Sequence, residues 1–179
     1  MAPILEPKFC SQCGAPMGRR VPHGDHKPRH ACTKCEFVHY LDPKVACGSI
    51  PEADGKLVLI KRNVEPRVGF WSFPCGFMEI DETVEDAARR ETQEETGLRV
   101  ELTHHLGTYS YPESWFGGAI VVVVFGSRIV GGDLQGSDDA DEAKLFRPEE
   151  IPWPDLAFRS SLAALEAWFR WKGIDCPPR

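Results

Sequence analysis

The sequence predicts an α/β fold, a mixed sheet packed between helices and preceded by a small metal-binding ribbon. Three observations predict it. Two Cys-x-x-Cys pairs open the chain, at Cys10/Cys13 and Cys32/Cys35. A helix with its own start and stop signals spans about residues 84–96. Around it run β-rich segments, of which residues 119–129, with four consecutive valines, are the least ambiguous strand.

The two cysteine pairs are separated by 18 residues. Paired C-x-x-C at this spacing reads as a four-cysteine zinc ribbon over residues 1–40, and Gly14 suits the tight turn after the first pair. A pair of disulfides is the alternative. The start, MAPILEPKFC, shows no charged segment followed by an apolar one, so a reducing, cytoplasmic setting is expected, and that favours zinc. His23, His26 and His30 lie between the pairs. Four cysteines already complete a tetrahedral site, so these histidines are expected to be exposed loop residues. Of the remaining cysteines, Cys47 falls in a strand and reads as a small core residue, leaving Cys75 and Cys176.

Residues 41–179 read as one α/β domain. Residues 44–50 and 56–62 are two strands around a turn at Asp54-Gly55. Residues 68–73 are a short extended segment. After the helix, residues 99–109 form a strand, and residues 119–129 are expected at the sheet centre. Residues 143–147 are a further short strand. Asp155 is expected to open a second helix whose Leu156, Leu162, Leu165, Trp168 and Phe169 make a core stripe.

Between the strands lies GFMEIDETVEDAARRETQEETGL, residues 76–98. Thr83 to Asp86 fits a capping box, and Gly97 suits the left-handed residue past the helix end. Val84, Ala87 and Ala88 define one face at helical spacing. Continued forward, that face meets Glu91, Glu95 and Leu98, with Glu94 at its edge. Glu85, Asp86, Arg89, Gln93 and Thr96 form the opposite, polar face. Three carboxylates on a buried side repel one another unless a cation is bound, and a hard divalent ion such as Mg2+ suits carboxylate oxygen. A solvated, glutamate-rich helix is the plainer reading. The phase of the glutamates against the alanines argues for the metal.

Composition narrows the function classes. A chain of 179 residues that is 42% hydrophobic has enough material for one sizeable core and a small module. The net charge of −6 argues against a general nucleic-acid binder. The charge is uneven: residues 1–40 carry six Lys or Arg against three acids, leaving about −9 elsewhere. No apolar run approaches the roughly 20 residues of a membrane helix.

The same stretch resembles the Nudix box, G-x5-E-x7-R-E-U-x-E-E-x-G-U, where U is a bulky aliphatic residue. Gly76, Glu82, Arg90, Glu91, Glu94, Glu95, Gly97 and Leu98 fall at its fixed positions. Thr92 departs from the pattern at the first U, where it is expected to weaken packing rather than metal binding. The resemblance covers about residues 44–172 and implies the Nudix α/β/α sandwich. It also implies hydrolysis of a nucleoside diphosphate linked to a second group X, with Mg2+ or Mn2+. Glu91, Glu94 and Glu95 match the metal-ligand positions, and the backbone carbonyl of Cys75 matches a position that often completes the coordination. Glu82 and Arg90 match a supporting pair, for which bidentate Arg is suited. Asp139 and Glu142 lie where a catalytic base is expected, although a glutamate is the commoner residue at Asp139.

The ribbon before the box resembles the NADH pyrophosphatase branch. The SQPWPFP stretch of that branch is replaced here by HHLGTYSYPESWFGG. The FCSQCG knuckle, DPKVACGSIPE and EEIPWPDLAFRS look more like a bacterial and plant group associated with FAD or ADP-ribose. That makes FAD or ADP-ribose the leading substrates, yielding AMP plus FMN or ribose 5-phosphate. NADH hydrolysis, RNA decapping and a catalytically inactive ligand sensor are the alternatives. Arg62, Tyr109, Trp115 and Phe116, with Tyr111 beside them, are candidate substrate contacts; packing of a strand and its loop is the other reading of the aromatics. A homodimer is implied only by the resemblance.

Overall fold

The computed structural model describes residues 6–114, 117–136 and 140–177. Two compact units make up the chain, one of residues 1–43 with 112–119 and one of residues 44–111 with 120–179.

In the first unit, β1 (Met17–Arg20), β2 (Arg29–Cys32) and β3 (Val38–His39) form an antiparallel sheet in that order. The turn after the first cysteine pair closes through the Gly14 N–H, which donates to the Cys10 carbonyl at 2.9 Å. Gly14 takes φ +73°, the left-handed conformation that favours glycine. His23 and His26 are exposed, as expected. His30 is not a loop residue: it is buried within β2.

The second unit contains β4 (Lys44–Ala53), β5 (Lys56–Arg62), β6 (Trp71–Ser72), β7 (Cys75–Phe77), α1 (Val84–Thr96), β8 (Leu98–Tyr111), β9 (Ile120–Gly132), β10 (Ala140–Phe146) and α2 (Arg159–Lys172). The sheet order is β10-β5-β4-β9-β8, with β6 beside β5 and β7 beside β4. β4 and β9 are parallel and the other pairs antiparallel. The valine-rich strand is interior, but β4 holds the centre.

Strand alternation sorts side chains onto two helix-covered faces. Ala46, Ile50, Leu57, Leu59, Val122 and Val124 pack with Leu165, Trp168 and Phe169 of α2. Cys47 and Phe125 point the other way, onto Ala87 and Ala88 of α1. Burying each of the large α2 side chains contributes about 1.5–3 kcal/mol. This is the expected α/β/α sandwich. Asp54 and Gly55 have φ +50° and +72°, so the β4–β5 turn matches the right-handed twist of its strands.

Three expectations need correction. Within residues 68–73 only Trp71 and Ser72 pair as a strand, because residues 62–70 turn back, with the Gly69 N–H donating to the Arg62 carbonyl at 2.7 Å. The second helix begins at Arg159, not Asp155. The Ala157 N–H donates to the Trp71 carbonyl at 2.8 Å and Leu156 bridges Trp71, so the chain there is extended and Leu156 reaches the core from outside the helix. Thr96 is fully buried, not on a polar face, because β8 doubles back beside α1 after Gly97 and covers that side.

Candidate active site

Local structure brings the box together. Thr83 caps α1, accepting from the Asp86 N–H at 3.1 Å. The return bond differs from a usual capping box: the Asp86 carboxylate accepts from the Thr83 hydroxyl at 2.8 Å. Gly97, at φ +72°, ends the helix by donating to the Gln93 carbonyl.

Arg90 is the hub. Its Nε and Nη2 fork onto the two oxygens of Glu82 at 3.0 and 2.6 Å. Nη2 also donates to the Phe77 carbonyl at 3.1 Å, tying the end of β7 to the helix. Nη1 donates to Glu91 Oε1 at 2.7 Å and to Glu94 Oε2 at 2.9 Å. The Glu79 N–H adds a 2.8 Å bond to Glu82. The Arg90 guanidinium, followed by the Glu79 amide, holds the Glu82 carboxyl down at about 2. The same bond to Glu82 raises the pKa of Arg90. The expected Glu82–Arg90 pair is present, and Arg90 also gathers two of the three other glutamates.

Those three differ in burial. Glu95 is 9% exposed, and its Oε2 accepts from the Cys75 N–H at 2.8 Å. Glu91 is half-buried and Glu94 exposed. Burial raises the pKa of Glu91, with Arg90 opposing it. At Gly76 an added Cβ would stand 2.2–2.4 Å from the Glu91 carboxyl, so the absent side chain makes the space this carboxylate occupies. Glu91, Glu94 and Glu95 supply hard carboxylate oxygens of the kind a divalent cation takes, with Glu91 half-buried against bare backbone; among the described residues only the four ribbon cysteines lie close enough together, as they stand, to share one ion.

Thr92 behaves unlike the expectation of weakened packing. It is fully buried, and its hydroxyl donates to the Ala88 carbonyl at 2.7 Å and meets Ser49 Oγ at 2.8 Å. Ser49 in turn meets Ser127 Oγ at 2.9 Å. This hydroxyl chain ties α1 to β4 and β9 from the position next to Glu91 in the helix. Sequence reasoning missed it; two serines inside otherwise apolar strands were the available signal.

The other candidates are scattered. Arg62 Nε and Nη2 donate to the Pro66 and Val64 carbonyls at 3.0 and 3.2 Å, bracing the loop after β5, and its guanidinium lies 5.0 Å from the Phe158 ring centre. Tyr109 and Tyr111 pack against the main core, and burial raises the pKa of both phenols. Glu142 is exposed on β10, whose register sets it opposite Lys61. Trp115, Phe116 and Asp139 lie outside the described residues. Cys75 is half-exposed overall, yet burial pushes its thiol well above the usual range; that of Cys47 is pushed up to about 11, again chiefly by burial.

In the ribbon, one ligand atom from each of Cys10, Cys13, Cys32 and Cys35 lies within 4.8 Å of the others. Sγ–Sγ separations are 3.8 Å for Cys10–Cys35, 3.5 Å for Cys13–Cys32 and 3.6 Å for Cys13–Cys35. A tetrahedron with arms of about 2.3 Å has edges near 3.8 Å, so the sulfurs fit one zinc ion. All four sulfurs gather in one cluster and none is joined in a disulfide, an arrangement that favours one shared ion over two separate bridges. The backbone N–H groups of Cys35 and Lys34 both donate to Cys32 Sγ at 3.3 Å and lower its pKa to about 6.

Comparison with known proteins adds to this geometry. Residues 42–169 match the NUDIX domain, well over half the chain. The chain belongs to the Nudix hydrolase family. Residues 8–41 match the Nudix N-terminal zinc ribbon. The ADP-ribose pyrophosphatase of Methanocaldococcus jannaschii is 41% identical over 133 residues, covering 74% of this chain and 77% of that protein. The NAD-capped RNA hydrolase NudC of Vibrio vulnificus is 27% identical over 148 residues, 81% of this chain, which spans 52% of that relative's length. The crystal structure of a NUDIX hydrolase from Nitrosomonas europaea superposes with a TM-score of 0.85 at 40% identity, covering 95% of this chain and 96% of that one. This Nudix chain is therefore a pyrophosphohydrolase. Among the described residues no helix is long and apolar enough to cross a membrane.

Proposed function

We propose that this Nudix hydrolase cleaves the pyrophosphate of a nucleoside diphosphate joined to a second group, with ADP-ribose ahead of FAD. Water adds to one phosphorus, the P–O–P bridge breaks, and ADP-ribose yields AMP and ribose 5-phosphate. The observation that carries this reading is the convergence of Glu82, Glu91 and Glu94 on the single guanidinium of Arg90. The preference for ADP-ribose is supported by the 41% identical relative of that activity.

Glu91, Glu94, Glu95 and the carbonyl of Cys75 are the proposed ligands of Mg2+ or Mn2+. A cation held there would supply charge neutralisation of the pyrophosphate and a water more readily deprotonated. The protein's own contributions are positional. Arg90 and Glu82 fix the loop of residues 77–82 on the helix. Gly76 leaves room for Glu91, and Glu95 holds the Cys75 amide, which orients the adjoining peptide. Glu142 and Asp139 remain the proposed acceptors of the water proton, and Arg62 the proposed contact for the substrate. Four cysteines hold a structural zinc. The reaction is proposed to run in the cytoplasm.

NAD-capped RNA or NADH is a second reading, favoured by the match to NudC across 81% of this chain. Hydrolysis of ADP-ribose, FAD, NADH and NAD-capped RNA, each with Mg2+ and with Mn2+, separates the two. The proposal expects the highest kcat/KM on ADP-ribose. A kcat/KM on NADH or capped RNA about ten times that on both ADP-ribose and FAD would overturn the substrate assignment and leave the site assignment standing.

A further inference from the structure

The ribbon carries a second constellation besides its cysteines. In the register of its sheet Arg19 lies opposite His30, and His30 opposite His39, so one basic row crosses all three strands on one face. The segment before β1 runs alongside, with the Met17 N–H donating to the Lys8 carbonyl at 3.0 Å. Lys8, Arg19 and His30 line a cleft of about 450 Å3 together with Glu6. His30 is 6% exposed, which is unusual for a histidine beside a surface cleft. Its Nε2 is 3.9 Å from Glu6 Oε1, too far for a hydrogen bond. Arg19 Nη1 reaches the same oxygen at 3.5 Å. The Glu6 carboxylate is thus the anion that two convergent donors share, and it meets both at long range.

We propose that this cleft is a phosphate-binding site and that Glu6 stands in it as a tethered, displaceable anion. A phosphate group offers several oxygens. It can accept from Arg19, from an imidazole N–H of His30 and from Lys8 together, where one carboxylate oxygen is left to span Arg19 and His30. The excess of basic residues in this segment, within a chain that is acidic overall, gives it the attracting sign. The ligand is the phosphate of a nucleotide. Its source is either a free mononucleotide or the backbone of a single-stranded oligonucleotide. The site lies within one compact unit and does not depend on which pyrophosphate the box cleaves.

Two variants of the full-length, zinc-loaded chain test this. The probes are AMP, inorganic phosphate and a short single-stranded RNA. Binding is followed through the imidazole resonances of His30 and His39, which report on the cleft whatever happens at the box. Arg19→Ala is expected to weaken binding about tenfold. Glu6→Gln is expected to tighten it about threefold, because it removes the competing charge and leaves the donors in place. Zinc content and ADP-ribose turnover should be unchanged in both. Saturable shifts with AMP and phosphate identify a mononucleotide site, and saturable shifts with RNA alone identify a backbone site. No saturable shift with any probe, or an affinity that Glu6→Gln leaves unchanged or weakens, would overturn the proposal.

Discussion

Replacing Gly76 by alanine should separate stability from catalysis. An alanine Cβ there would fall 2.2 Å from Glu91 Oε2 and 2.4 Å from Oε1, and it would meet no other group as closely. Ordinary contact begins near 3.4 Å, so the carboxyl must retreat by about 1 Å. Gly76 is not among the residues with positive φ, and alanine adopts its backbone without strain. The side chain that must move is the far end of a flexible glutamate. The fold therefore adjusts, and the loss of unfolded-state freedom offsets part of the weakened Arg90 contact. Stability should change by less than about 1 kcal/mol, or about 2–4 °C in Tm. Catalysis has no such latitude: misplacing a reacting group by about 1 Å costs on the order of 100-fold in rate, about 2.7 kcal/mol of barrier. Gly48→Ala is the contrasting case. Its Cβ would lie 2.3 Å from the Pro74 backbone carbonyl and 2.9 Å from the Phe73 ring, so the fold itself should fail. Thermal unfolding and steady-state hydrolysis of ADP-ribose measure both properties. Turnover of Gly76→Ala within threefold of wild type would refute the placement of Glu91 in the catalytic centre.

Three further outcomes are expected. Thr92→Val removes one buried hydroxyl from the chain joining α1 to Ser49 and Ser127, and should lower stability by about 1 kcal/mol in thermal melts. Cys13→Ser should abolish zinc binding, read by metal analysis, while unit 44–111 with 120–179 keeps its own core and its melting transition. His104 stacks on Trp171 with ring centres 3.6 Å apart, and burial, then Lys172, lowers its pKa below 6.5. A histidine whose folded pKa is depressed stabilises the protein above its unfolded value and loses that contribution as pH falls. Wild type should therefore lose stability from about pH 6.5 downward relative to His104→Gln; parallel profiles of the two proteins across that range would contradict this.

The parts legible in sequence were those set by local spacing. The box residues stand at fixed intervals on one helix and the loop before it, so their convergence followed from the period of the helix and the caps at Thr83 and Gly97. The cysteine pairs were legible for the same reason, since each pair sits on one tight turn. Long-range contacts were not legible. The start of α2 follows a segment held to Trp71, far back in the chain, by the Ala157 hydrogen bond and the Leu156 bridge, and no propensity near Asp155 encodes it. The burial of Thr96 depends on where β8 runs after Gly97. Thr92 looked like a defect because the pattern there is aliphatic; its hydroxyl partners lie on two distant strands. The bonds of Arg62 to the Val64 and Pro66 carbonyls, which brace the loop after β5, were likewise not legible in its sequence position. His30 was read as an exposed loop residue because four cysteines already complete the metal site, and the pairing of β2 on both sides buries it.

The central claim is that the box glutamates hold a divalent cation that the hydrolysis requires. Glu95→Gln tests it most directly, because an amide oxygen still accepts from the Cys75 N–H and the shape is kept, while the charge is lost. Mn2+ binding followed by electron paramagnetic resonance, ADP-ribose hydrolysis and thermal unfolding are measured on the same samples of wild type and variant. The account predicts an unchanged fold, Mn2+ binding weakened at least tenfold and turnover reduced at least 100-fold at wild-type saturating metal, on the order expected when a group that stabilises transition-state charge is removed. Turnover near that of wild type in a folded Glu95→Gln protein at saturating metal would contradict it.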